Sequence, residues 1–188
     1  MTTHTITGDQ TNAFWRYMCR KYGTTVKDKT APEMQIIGVV LAAMGIMDRK
    51  KFLRDFTITL GHGIYPNFSV GDPSWVPLAS QAIVCVHEHA HVRQFHSADF
   101  AWDYCLDSSK RTLSECECYR ASMEMVYWFT GKCPTPSSIV KKLGSYNLTE
   151  DDLAFAGEWL TKAAAIVRKG GIVTPESQVA IKWLAARL

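Results

Sequence analysis

The segment CVHEHAHVRQFH (85–96) constrains the fold more than any other part of the chain, because it sets two histidines four residues apart beside a glutamate. Residues four apart lie on the same face of an α-helix, one turn from each other, so His87 and His91 can bind one ion if this segment is helical. Roughly 0.01 matches to this H-E-x-x-H spacing are expected by chance in such a composition. The segment therefore predicts a buried helix that carries a metal site.

The chemistry expected of this helix follows from its residue types. Two imidazoles suit a tetrahedral zinc ion, and Glu88, next to the first of them, can take a proton from an activated water and pass it to a leaving amine. His89 points away from the shared face, which favours an outer-shell or solvent-facing role, and His96 lies near the wrong side of the helix. Gln94 and Ser97 stand where the longer H-E-x-x-H-x-x-G-x-x-H motif needs glycine and histidine, which excludes that family.

A third ligand must come from elsewhere, and TLSECECYRASMEM (112–125) offers two glutamates on the next predicted helix. Glu115 and Glu117 are two residues apart, about 200° around a helix, so only one of them can face the ion. The spacing alone leaves that choice open.

The combination of H-E-x-x-H with a glutamate on a later helix resembles the gluzincin branch of zinc metallopeptidases. HEHAHVRQF, ECECYRA and TLGHGIYPN are similar to segments of small bacterial and phage zincin-like proteins, which share an H-E-x-x-H-V-x-Q helix and an E-x-E-A-Y or E-x-x-A-D helix. The similarity covers about residues 55–125. It implies a Zn²⁺ ion bound by His87, His91 and one glutamate, Glu88 as base and acid, and a strand at 56–60 along a peptide-binding cleft.

Alignment of E-x-x-A-D with Glu115 puts Cys118 at the small residue and Tyr119 at the acid. We therefore predict Glu115 as the third ligand, with Cys118 letting the two helices approach closely. Glu117 is then expected on the far side of the helix, where Arg120 or Arg93 can pair with it.

Two supporting roles have several candidates. The partner that orients a ligand histidine is unassigned, and Asp99 and Asp103 are the substitutes on offer. The group that polarises the substrate carbonyl is Tyr119, Tyr104 or His96.

The remaining patterns predict a mainly helical α+β fold, a zincin-like domain with a small β-sheet before the histidine helix. Helices are expected up to Gly23, from Thr30 as cap, over about 78–98, over about 111–130 ending at Gly131, and after the caps Thr149 and Thr174. Two or three short strands are expected within 55–72, with His62 in a turn. DRKKFLRD (48–55) is interpreted as a solvated turn and helix end. Phe155, Trp159 and Trp183 are expected to face the core.

Composition narrows the class of protein. The chain has 188 residues, 47% of them hydrophobic and 21% charged, which suits one globular domain over residues 1–188. A net charge of +3 gives no reason to expect nucleic acid or an anionic membrane as partner. With no signal peptide or membrane-spanning segment recognised, we expect a cytoplasmic protein, virion-associated if phage-encoded, with free thiols at its six cysteines. The oligomeric state stays open.

Three functions are compared with these observations. The first is a zinc-dependent hydrolase of peptide or other amide bonds, with a peptide or protein as substrate. The second is a non-catalytic zinc-binding protein, virion- or toxin-associated, although a purely structural site has no need of Glu88. The third, a di-iron carboxylate bundle, needs a second E-x-x-H that the sequence lacks.

Overall fold

The computed structural model describes residues 4–43, 48–95 and 100–188, and within them the fold is mainly helical α+β. The helices of the described chain are α1 (Gly8–Tyr22), α2 (Pro32–Ala43), α3 (Arg49–Asp55), α4 (Leu78–Gln94), α5 (Phe100–Leu106), α6 (Ser108–Thr130), α7 (Pro136–Leu143), α8 (Glu150–Arg168) and α9 (Pro175–Ala185). The strands are β1 (Thr25–Val26), β2 (Ile58–Leu60) and β3 (Gly63–Tyr65).

The three strands form one small sheet in the order β1-β3-β2. β2 and β3 are antiparallel, and His62 lies in the turn between them, as predicted. Gly61 in the same turn has a φ of 57°, which suits a glycine. β1 pairs in parallel with β3 and was not predicted. β3 is buried in the centre, so β2 is left as an edge strand beside α4.

Two large hydrophobic clusters share α6. The first joins α6 to α1, α4 and α9 around side chains such as Phe14, Val86 and Met125, and the second joins α6 to α7 and α8 around Met123 and Leu160. Each of these side chains is fully buried, which stabilises the fold by about 1.5–3 kcal/mol apiece. The packing holds α6 against α4, which carries the histidine motif.

Several helix ends confirm the sequence patterns. Gly23 and Gly131 end α1 and α6 in the left-handed conformation, and Thr149 caps α8 in a reciprocal capping box with Asp152. Thr174 precedes Pro175 at the start of α9, but its side chain makes no capping bond.

Three expectations are wrong. Thr30 does not cap α2, because its hydroxyl donates to the Asp28 carboxylate (2.6 Å) in the preceding turn. The DRKKFLRD segment forms a helix of its own, α3, because Asp48 caps it and Phe52 is buried under it. Phe155 is 47% exposed, since it lies on the outer face of α8, whereas Trp159 and Trp183 pack partly buried against the two clusters as expected.

The six cysteines are free, as expected. Cys116 is buried in the second cluster and Cys118 in the first, so the two thiols of the CEC segment point to opposite sides of α6. No helix within the described part of the chain is long and apolar enough to cross a membrane.

Candidate metal centre

The histidine motif lies on α4, as predicted, and its two key rings face the same way. The ring centroids of His87 and His91 are 5.0 Å apart, and both side chains are nearly buried. Glu88 points towards the sheet, where the Thr59 hydroxyl of β2 donates to its Oε2 at 2.8 Å. The small sheet therefore positions the glutamate, while α4 positions the histidines.

Glu115 of α6 meets both histidines. Its Oε1 lies 3.4 Å from His91 Nε2, and its Oε2 lies 3.8 Å from His87 Nε2. The Tyr104 hydroxyl donates to Oε1 at 2.5 Å, whereas Oε2 is buried and has no hydrogen-bond partner among the described residues. The Nε2 atoms of both histidines thus face the Glu115 carboxylate, whose Oε2 is unpartnered among the described residues, and the point between these groups is the candidate metal position.

Glu117 does not reach that point. Its Oε2 accepts a hydrogen bond from Gln94 Nε2 at 2.9 Å and lies 3.8 Å from Arg93 Nη2, on the outer side of the α4–α6 contact. Arg93 is one of the two bases expected for it. The other, Arg120, pairs with Glu124 instead. The two glutamates point to different sides of α6, as their spacing requires.

The second nitrogen of each histidine also has a polar neighbour. His87 Nδ1 lies 3.0 Å from Ser122 Oγ, and His91 Nδ1 lies 3.1 Å from Gln94 Oε1. Ligand histidines in proteins have such neighbours, because a bond at Nδ1 fixes the ring and leaves Nε2 for the ion. Gln94 belongs to the H-E-x-x-H-V-x-Q pattern, but nothing in the sequence marked Ser122.

Asp103, one of the two acids considered for orienting a ligand histidine, does not take this role. Asp103 forms an ion pair with Lys110 at 2.8 Å on the surface. Asp99 lies outside the described residues, as does His96, one of the three groups considered for polarising the substrate carbonyl.

A cysteine adjoins the same histidines. Cys118 Sγ lies 3.3 Å from His91 Nδ1, and ligand atoms of His87, His91 and Cys118 lie within 4.8 Å of one another, a group that can hold a metal ion. The histidines thus belong to two sets of potential ligands, one completed by Glu115 at Nε2 and one by Cys118. Burial raises the pKa of Cys118 to about 11, which keeps it a neutral thiol near neutral pH.

Electrostatics distinguish the buried groups. Burial raises the pKa of Glu88 to about 7, although His91 and the Thr59 hydroxyl oppose the shift. Burial and the adjacent His91 lower the pKa of His87 to about 4. Burial also disfavours a charged Glu115, but the two histidines outweigh it, so the pKa of Glu115 lies below its usual value. Glu115 and His87 are thus in the forms that bind metal. His91 differs, because Cys118 and Glu115 outweigh its burial and raise its pKa well above the usual value, so a metal must displace a proton from its ring.

Two cavities meet at this centre. The larger, of about 530 Å³, extends past His87 between α4, α6 and α7, and the smaller, of about 160 Å³, lies on the side of Glu115. Both are lined by His87, Glu88 and Tyr146. Tyr146 follows α7 and was missed, because only the packing of α7 brings it near the motif.

The two tyrosines considered for the substrate carbonyl occupy different places. Tyr104 donates to Glu115, and Tyr119 lies with its ring centroid 5.0 Å from that of His87 and lines the larger cavity.

His89 faces away from the centre, as expected, but it is buried rather than solvent-facing. Its Nδ1 lies 2.6 Å from the carbonyl oxygen of Cys85, and its Nε2 lies 3.0 Å from the Thr24 hydroxyl. Burial lowers the pKa of His89 to about 4, so it is a neutral packing residue between α4 and the β1 segment.

Comparison with known proteins finds no match: no family model, no curated protein and no solved structure matches the chain.

Proposed function

We propose that this protein is a zinc-dependent hydrolase of peptide or other amide bonds, with His87, His91 and Glu115 as ligands and Glu88 as the proton carrier. The observation that carries the proposal is the Glu115 carboxylate that faces both histidine Nε2 atoms, because its buried Oε2, on the side of His87, has no partner among the described residues. A buried carboxylate oxygen without a partner is costly, and a cation at this point removes that cost.

The donor set and its spacing fit zinc. Two imidazoles and one carboxylate are the protein ligands of a catalytic zinc site that keeps its fourth position open. Ligand atoms about 2.1 Å from a tetrahedral zinc are about 3.4 Å from each other. The separations of 3.4 Å and 3.8 Å between Glu115 and the histidines are close to that value. Zinc, when bound, supplies a Lewis acid and lowers the pKa of a water to about 7.

Glu88 carries the proton in this mechanism. Its carboxylate takes a proton from the attacking water as the water oxygen bonds to the amide carbon. It then gives that proton to the amine nitrogen as the carbon–nitrogen bond breaks. A pKa of about 7 allows both steps near neutral pH. The hydrogen bond from Thr59 keeps the carboxylate directed into the cleft.

An extended peptide is the substrate that suits the surroundings. β2 is an edge strand, and its residues Ile58–Leu60 line the smaller cavity, so a peptide backbone can pair with it. The substrate peptide would continue past His87 and Glu88 into the larger cavity. This arrangement places side chains of the substrate on both sides of the cleaved bond.

Substitution of the motif tests the proposal. Glu88→Gln is expected to bind zinc with unchanged stoichiometry and to lose peptide hydrolysis, because only the proton carrier is removed. His87→Ala and His91→Ala are expected to lose the metal. Zinc content by mass spectrometry and cleavage of a fluorogenic peptide library measure the two properties. Full turnover by Glu88→Gln would refute the assigned role.

The thiol beside His91 supports a second candidate, a non-catalytic metal protein with His87, His91 and Cys118 as ligands. Three variants separate the two sites by zinc affinity. The hydrolase predicts that Glu115→Ala weakens binding strongly, whereas Glu117→Ala, the matched control, and Cys118→Ser leave it nearly unchanged. A large loss in Cys118→Ser with normal binding in Glu115→Ala would favour the non-catalytic protein.

A further inference from the structure

Arg111, near the start of α6, is a buried cation that forms no ion pair with any described residue. Only 3% of it is exposed, and its guanidinium donates to the carbonyl oxygens of Tyr104, Cys105 and Asn147 at 2.7 to 3.2 Å. These bonds explain how it ties α5 to the segment before α8. Within the described chain, however, no carboxylate forms an ion pair with it, and its buried Nε has no partner.

An unpaired buried charge is expensive, which makes the surroundings of Arg111 informative. The residue lines the smaller cavity, whose lining also includes Glu88 and Glu115 of the candidate metal centre. Glu115 faces the two histidines and Tyr104 at the candidate metal position, and neither it nor Glu88 forms an ion pair with Arg111. Much of the remaining lining is apolar, with Ile37 and Phe52 among it. The cavity therefore combines an apolar surface with a cation that forms no ion pair within the described residues.

We infer that the smaller cavity binds the C-terminal residue of a peptide, with Arg111 as the group that recognises its α-carboxylate. The inference rests on the proposed hydrolase function and makes that hydrolase a carboxypeptidase. Arginine suits the role, because its fixed N–H groups match the geometry of a carboxylate and keep their charge at any pH.

The dimensions of the two cavities agree with this direction of binding. A volume of 160 Å³ is that of about five water molecules and suits one residue, whereas 530 Å³ on the other side of Glu88 accommodates several. The apolar lining favours an apolar side chain on the terminal residue. An acidic side chain within a longer peptide would offer the same carboxylate chemistry, so the experiment must separate the two sources.

The test measures binding of small probes to the full-length protein by calorimetry, without hydrolysis. N-acetyl-L-phenylalanine is expected to bind about tenfold or more tightly than its amide, because a hydrogen bond to a charged group is lost in the amide. N-acetyl-L-isoglutamine, which has only a side-chain carboxylate, is expected to bind as weakly as the amide. Both zinc-loaded and metal-free protein are used, since a carboxylate can also bind to the metal.

Variants of Arg111 test whether this residue causes the preference for the acid over the amide. Arg111→Gln should abolish the preference for the acid, and Arg111→Lys should retain part of it. Lys110→Gln is the matched control, because it removes one charge from the exposed neighbouring residue, which pairs with Asp103. Circular dichroism checks folding, and if Arg111→Gln fails to fold, the acid–amide comparison in wild-type protein decides alone.

Each outcome has one meaning. Equal binding of acid and amide by metal-free wild-type protein, or a preference that appears only with zinc, overturns the inference. Tighter binding of isoglutamine than of the phenylalanine acid also overturns it, in favour of an internal acidic residue. If the acid is preferred but no peptide is cleaved, the hydrolase proposal fails and the carboxylate site stands. Cleavage of peptide amides as fast as of peptide acids, without a binding preference, removes the inference and leaves the hydrolase.

Discussion

The amide of Gln94 fixes His91 through a single oxygen atom. Gln94 Oε1 lies 3.1 Å from His91 Nδ1, while its Nε2 donates to the Ser114 carbonyl and to Glu117. The two Nε2 bonds determine which way the amide faces, so the oxygen must point to the histidine. This network holds the imidazole with Nε2 directed at Glu115.

Replacement of Gln94 is therefore expected to loosen the ligand without removing it. Gln94→Leu should weaken zinc affinity about 10–100-fold, the usual effect of losing the group that orients a ligand histidine. Competition with a chromophoric chelator measures it. Glu117→Gln is the control, because an amide oxygen still accepts the bond from Gln94. Normal affinity in Gln94→Leu would show that packing alone orients His91.

Burial of Lys29 lowers the stability of the fold, because it disfavours the charged form of the side chain. Its ammonium is buried without a hydrogen-bond partner in the described structure and lies 4.5 Å from the centroid of the Phe52 ring. Burial lowers the pKa of Lys29 to about 8, although the Glu88 carboxylate opposes part of the shift. The charged form is thus less stable in the folded than in the unfolded chain.

The sign of the pH dependence follows from this. The lysine has a pKa of about 8 in the folded chain and an ordinary pKa of 10.5 in the unfolded chain, so it destabilises the fold fully below pH 8. The penalty then decreases as the pH rises from about 8 to 10.5 and is absent above that range. Lys29→Met should therefore raise the melting temperature at neutral pH, with a smaller gain at about pH 10. Thermal unfolding of both proteins at both pH values measures the difference. A gain that grows with pH would contradict the sign.

At the scale of elements, α4 and α6 could be predicted from the sequence, and β1 could not. Helix signals are local: an apolar period, a capping side chain or a glycine at the C-terminus, as at Gly131. A two-residue strand such as β1 has no such signal, because it exists only through its pairing with β3, some 38 residues later in the register of Thr25 with Gly63. Tertiary packing, not local preference, determines such elements.

The residues of the candidate site likewise fall into those that the sequence reveals and those that only the structure reveals. His87, Glu88 and His91 could be recognised because a helix places them together within one motif. Glu115 needed the alignment of a second motif. Ser122, Tyr146 and Arg111 act from other places in the chain, and only the packing of α6 and α7 against α4 shows what they contact.

The start of α9 depends on another buried acid. Thr174 makes no side-chain capping bond, and the backbone N–H groups of Val173 and Thr174 donate instead to the Glu124 carboxylate at 3.0 to 3.2 Å. Glu124 is fully buried on α6, and Arg120 lies 3.5 Å from it. This carboxylate joins α9 to the helix that both hydrophobic clusters share.

Loss of this acid should destabilise the whole chain. Glu124→Leu leaves two N–H groups and a partly buried guanidinium unpaired, which should lower the free energy of unfolding by about 2–4 kcal/mol. Urea unfolding measures it. Glu158→Leu on the exposed side of α8 is the control, with a change below about 0.5 kcal/mol. Equal effects of the two substitutions would show that the Glu124 contacts add nothing to stability.

On the scale of the whole molecule, the candidate metal centre lies across the contact that holds the core together. His87 and His91 come from α4 and Glu115 from α6, and α6 belongs to both large hydrophobic clusters. A metal bound by both helices cannot remain bound when they separate. Binding and global stability are therefore coupled.

This coupling gives a prediction that is independent of catalysis. Zinc at 100 times its dissociation constant should add about 2.7 kcal/mol to the free energy of unfolding, a rise of about 5–10 °C in melting temperature for a chain of this size. Excess chelator should reverse the shift. Glu88→Gln should retain it, because Glu88 is not a ligand, whereas Glu115→Ala should lose most of it. A shift that survives in Glu115→Ala but disappears in Cys118→Ser would assign the metal to the thiol side of His91.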